Sequence, residues 1–218
     1  MNWTSSLLVF SGLSTLWTLC LWGVSRWLVK GVCSTTPVIL PILVSLFSIT
    51  VFSYAIITDV PFYLYIGFFS ALVVTIFTDA TTFLISRYVT LYAMPMGWLA
   101  SNMGLLPITP LESIGGSLTG LFLLVMVRFI SKKLLGKDGL GQGDVDLLCF
   151  IGAFTGPSGC WITLMTASLL GSIFGIVYFI ATKGRRDILL PFGLFLGMGA
   201  ILYVLFQHEL TALFLPVY

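Results

Sequence analysis

The chain has 218 residues, of which 58% are hydrophobic and only 8% charged, with a mean hydropathy of +1.09. A soluble domain of this length cannot hide so much apolar surface, so the composition excludes a water-soluble globular protein and implies membrane spans. The net charge of +2, with no basic patch interleaved with exposed aromatics, excludes a nucleic-acid partner.

The first apolar run, at about 5–25, has no Lys or Arg ahead of it, unlike a cleavable signal peptide, and reads as a retained span. Further runs follow at about 36–57, 61–80, 88–106, 112–130, 144–157, 158–182 and 188–207. Most approach the ~20 residues that cross hydrocarbon as a helix. The stretch from Asp144 to Thr182 is too long for one span, and Gly156-Pro157-Ser158-Gly159 is a turn signal that divides it. Charge placement supports eight spans. Arg26, Lys30, Arg87, Arg128, Lys132, Lys133, Lys137, Lys183, Arg185 and Arg186 all fall on one side, against Asp59, Glu112, His208 and Glu209 on the other. By the positive-inside rule the basic side is cytoplasmic and both termini lie outside. The expected fold is an all-α polytopic membrane helix bundle of about eight transmembrane helices, forming one domain over residues 1–218.

Gly116-xxx-Gly120, Gly171-xxx-Gly175 and Gly193-xxx-Gly197 are spacings that let helices approach closely. Trp3, Trp27 and Tyr218 fit interfacial anchoring in the lipid. Cys20, Cys33, Cys149 and Cys160 form no CxxC pair, so they read as small hydrophobes rather than metal ligands.

Two carboxylates stand out. Asp79 ends the third run and Asp144 begins the sixth, so the topology puts both at the cytoplasmic edge. Ionisable residues at membrane depth are expensive and usually functional. Two neighbouring carboxylates share a proton, so the ionised one can take a proton from water while the other donates to a peptide carbonyl. The structural alternatives are a helix N-cap for Asp144 and an interfacial pairing with Arg87 for Asp79. Asp146, two residues on, points to a different helix face. His208 is the only histidine, on the opposite side, which argues against a Ser-His-Asp arrangement.

The segment Lys137-Asp138-Gly139-Leu140-Gly141-Gln142-Gly143-Asp144-Val145-Asp146-Leu147-Leu148, followed by Gly152-Ala153-Phe154-Thr155-Gly156, resembles the second-aspartate motif of the type IV prepilin peptidases. These are membrane-embedded aspartyl proteases of the GxGD type. Asp79, eleven residues before Thr90-Leu91, matches the spacing of their first-aspartate motif, and Pro191-Phe192-Gly193 resembles a further element. The resemblance runs from roughly residue 36 onward. Three features depart from the pattern. The family's loop with two CxxC pairs is reduced here to about Arg26–Thr36 with Cys33 alone. Asp146 stands where the family has Lys, and Ser86-Arg87 where it has Pro-Asp.

The resemblance implies an aspartic-type endopeptidase of the bacterial cytoplasmic (inner) membrane, with its active site on the cytoplasmic side. Asp79 and Asp144 would be catalytic and Gly141 and Gly143 would support the motif, with no cofactor and no metal. The implied substrates are type IV prepilins or type II secretion pseudopilins, each with a basic leader, a glycine and an apolar helix. Two other classes stay open: a proton-coupled transporter using the same two carboxylates, and a catalytically silent scaffold of the same fold.

Overall fold

A computed structural model describes residues 62–136, 140–182 and 190–214, together with Gly23. The first two apolar runs, the anchoring residues Trp3, Trp27 and Tyr218, and the basic residues at 26, 30, 137, 183, 185 and 186 lie outside the described residues. What is described is all-helical. The helices are α1 (Phe62–Thr82), α2 (Arg87–Asn102), α3 (Pro110–Leu135), α4 (Gln142–Ala181), α5 (Phe192–Leu205) and α6 (Gln207–Phe214).

Local signals place their ends. At the start of α3 the Thr109 hydroxyl accepts from the Glu112 N–H, and the Glu112 carboxylate accepts from the Thr109 N–H at 2.7 Å. Pro110 follows the cap, where its missing N–H costs nothing. The other end of α3 closes on Gly136 at φ 67, with Lys132 and Lys133 in the last turn favoured by the helix dipole. Helix α5 follows Pro191, and its axis turns by 104° into α6.

The 40-residue α4 is two helices joined at a kink rather than one. Its backbone leaves the helical region at Gly156 (φ 74), immediately before Pro157. Cys160 Sγ lies 3.9 Å from the Leu148 carbonyl oxygen, whereas twelve residues of straight helix would separate such positions by ~18 Å. The chain therefore doubles back at the Gly-Pro turn, where the sequence divides the run.

Every residue from Asp144 to Gly156 is buried. This first half of α4 is the bundle's centre, apolar on all sides after its opening acids. Phe68 of α1 packs its ring 5.3 Å from Phe150 and 4.8 Å from Phe154. On α3, Gly116 faces the Gly152 carbonyl so closely that a Cβ there would strike backbone, and Gly120 faces Leu148 in the same way. The Gly116-xxx-Gly120 spacing thus packs helix backbones. The Ser113 hydroxyl donates to the Ala153 carbonyl at 2.6 Å across the same seam. The second half of α4 packs on α5, where Gly199 opposes Thr163 and Thr166.

Outward faces are apolar as well: Leu118, Phe122 and Phe129 on α3 and Ile173, Ile176 and Ile180 on α4 are exposed. Such surface is stable against lipid and not against water. By length and composition Pro110–Leu134 and Gln142–Ala181 qualify as spans, and the bent pair Phe192–Leu205 with Gln207–Phe214 makes a third. The Gly67–Ala80 stretch of α1 is a shorter apolar helix. Helix α2 stops at Asn102, four residues short of its apolar run, and carries Pro95 inside it.

Candidate active site

Asp79 lies in the last turn of α1 and Asp144 in the first turn of α4, both buried. They sit at the same end of the bundle, within electrostatic reach of one another. Each is held by backbone. Asp79 Oδ2 accepts from the Leu194 N–H at 2.9 Å, at the start of α5. Asp144 Oδ2 accepts from the Gly141 N–H at 3.1 Å.

That second bond corrects the expected cap. Gly141 is the N-cap residue of α4, and Asp144 stands three residues further on, reaching back to it. Gly141 has no side chain to return the bond, so only one half of a capping box is present. An acid in this first turn also suits the helix dipole. Gly141 leaves room for the reach: a Cβ there would stand 3.2 Å from Asp144 Oδ2.

The two other glycines at the site make way for one side chain. A Cβ on Gly143 would lie 2.7 Å from Ile85 Cβ. One on Gly193 would lie 2.6 Å from Ile85 Cδ1 and 2.9 Å from Asp79 Oδ2. Ile85, in the turn between α1 and α2, is therefore inserted between Gly143 at the start of α4 and Gly193 at the start of α5. Sequence reasoning missed it, because an isoleucine in an apolar chain carries no signal of its own. At Gly143 it is Ile85 that approaches closely.

Arg87 does not pair with Asp79. Its Nε lies 2.6 Å from Asp146 Oδ2, joining the first residue of α2 to the first turns of α4. On α3, Arg128 donates to the Gln142 side-chain oxygen at 2.9 Å. The four described basic residues, Arg87, Arg128, Lys132 and Lys133, thus gather at the end that holds Asp79 and Asp144. Glu112 lies at the other end, near Gly156.

Among the described residues no group of three or more His, Cys, Asp or Glu side chains converges as a metal site would. Cys149 and Cys160 are buried free thiols in the core.

The class is thus defined: a helical membrane protein that gathers buried carboxylates, Asp79 from one helix and Asp144 and Asp146 from another, at one end of its bundle. The chain belongs to the type IV leader peptidase family, which matches residues 66–180. It is 30% identical over 145 residues to a prepilin leader peptidase/N-methyltransferase of Aeromonas salmonicida, covering 66% of this chain and 49% of that protein. It is 27% identical over 137 residues to the prepilin leader peptidase/N-methyltransferase of Pseudomonas aeruginosa, covering 63% and 47%. A type 4 prepilin-like proteins leader peptide-processing enzyme of Escherichia coli is 34% identical over 101 residues, covering 46% and 36%. The chain thus spans about half the length, or less, of these curated relatives. No solved structure is a significant match to it.

Proposed function

We propose that this chain is a membrane aspartyl endopeptidase that removes the leader from type IV prepilin-like or type II secretion pseudopilin precursors. The observation that supports the reading is that Asp79 and Asp144, 65 positions apart in sequence, lie within electrostatic reach of one another at the basic end of the bundle. In the proposed reaction the ionised carboxylate takes a proton from water as the oxygen attacks the scissile carbonyl. The protonated partner donates to the carbonyl oxygen. Collapse of the tetrahedral species expels the amine of the apolar helix, which leaves with a proton from the dyad. The two acids titrate as a unit, so neither is the base by itself.

The bundle suits such a substrate. Its outward apolar faces match lipid, and a precursor's apolar helix lies in the same layer. With the basic end taken as cytoplasmic, the scissile bond of a precursor meets the acids where its leader leaves the inner membrane. The full proposal has eight spans, the first two supplied by the runs at about 5–25 and 36–57.

The test uses the full chain in liposomes with a synthetic precursor carrying a basic leader, a glycine and an apolar helix. Leader release should be lost in Asp79→Asn and in Asp144→Asn while each variant inserts and melts as the parent does. Normal cleavage by either variant would exclude the dyad. Proton uptake driven by a solute, without cleavage, would select the transporter instead.

A further inference from the structure

The proposed cleavage uses Asp79 and Asp144 but gives Arg87, Asp146 and the turn between α1 and α2 no task. That turn leaves α1 four residues after Asp79, with the Phe83 N–H still donating to the Asp79 carbonyl at 2.9 Å. Phe83 then takes φ 55, and among the described residues no other non-glycine residue has a positive φ. A bulky side chain keeps that conformation only where its surroundings hold it. Two residues on, Ile85 enters the space between Gly143 and Gly193, where Gly193 borders both Ile85 and the Asp79 carboxylate. Two further residues on, Arg87 closes on Asp146 at 2.6 Å.

The pairing is not one that either residue's own helix would select. Arg87 is the first residue of α2, where a cation is opposed by the helix dipole. Asp146 has only 10% of its side chain exposed, so its charge needs a partner, and Arg87, at 57%, reaches inward to supply it.

We propose that the Arg87–Asp146 ion pair is a strap that ties the α1–α2 turn to α4, keeps Ile85 seated, and so fixes the placement of Asp79 against Asp144. Arg87 and Asp146 are then positioning residues for the cleavage, an inference that rests on the peptidase reading.

The test compares the full-length parent in liposomes with Arg87→Asp, with Asp146→Lys, and with the two combined, on the synthetic precursor. Each single change should lower kcat at least about tenfold with a much smaller change in KM, since ångström-scale misplacement of catalytic groups has such effects. The combined variant, which restores attraction with the signs exchanged, should recover to within about threefold of the parent. Single variants that cleave like the parent, or a combined variant no better than the worse single, overturn the strap. A second readout needs no cleavage. Ile85→Cys, placed in each background, reports the peg through its rate of maleimide labelling, corrected for the native cysteines. Labelling should speed up several-fold in the single charge variants and return in the combined one. An unchanged rate in the single variants overturns the strap by itself. A parent that cleaves nothing would fail the peptidase reading instead, and the labelling series would then decide the strap alone.

Discussion

Gly143→Ala is the sharpest perturbation available at the site. The added Cβ would lie 2.7 Å from Ile85 Cβ, 3.4 Å from its Cγ1 and 3.5 Å from its Cδ1. Saturated carbons settle at about 3.5–4.0 Å, so the closest contact must open by about 1 Å. That closest atom is fixed to the Ile85 backbone, and no change of rotamer can move it. The turn between α1 and α2 must therefore lift away from α4, and Asp79 lies at the other end of that turn. A displacement of this size costs about 10²-fold in rate where catalytic groups must be in register. Overpacking costs about 1–3 kcal/mol of stability. The assay is the initial rate of leader release at saturating precursor, with thermal unfolding of the same samples in detergent. The expected result is a rate about 10²-fold lower in a chain that still folds. Adding Ile85→Gly removes the offending Cβ and should restore the thermal stability that the clash costs, whereas Ile85→Ala retains that atom and should not. Parental activity in Gly143→Ala, or equal rescue by both second changes, would refute the steric account.

Gly193→Ala should separate activity from stability, because its methyl meets only flexible ends, Ile85 Cδ1 at 2.6 Å and Asp79 Oδ2 at 2.9 Å. Cleavage should fall at least about tenfold while unfolding shifts by less than about 1 kcal/mol. Gly116→Ala should do the reverse of this, since its methyl meets the Gly152 and Gly156 backbone and the helices must part. A loss of about 1–3 kcal/mol, read as a lower Tm in detergent, is expected. Phe68→Ala removes a ring that is 1% exposed and packed on Phe69, Phe150 and Phe154. It should cost about 3–5 kcal/mol, and a Tm within a degree or two of the parent would contradict the assigned core.

Much of this was legible in the sequence because backbone chemistry writes strong local signals. The Gly156-Pro157 turn divides an overlong apolar run as expected, since a glycine at φ 74 and a proline cannot continue a helix. The two acids were legible because charge is so rare in this chain. Pairings across long sequence separations were not. Nearness in sequence offers Asp79 as an alternative partner for Arg87, but the turn at Phe83 carries Arg87 to Asp146, 59 positions away. Ile85 was invisible for a related reason: its role depends on two glycines from two other helices. The alternative of Asp144 as the cap residue fails because Gly141 holds that place and the acid reaches back to it, a one-turn difference that patterning does not resolve.

The doubling back of α4 at Gly156 bears on how the protein is made. Residues 142–155 rise only ~21 Å as a helix, short of the ~30 Å hydrocarbon layer, and they begin with two acids. A translocon has little reason to release such a segment sideways by itself. Such a short segment is expected to enter the bilayer together with 157–181, across the turn at Gly156. The end that holds Asp79 is complete only once Leu194, whose N–H it accepts, has been made.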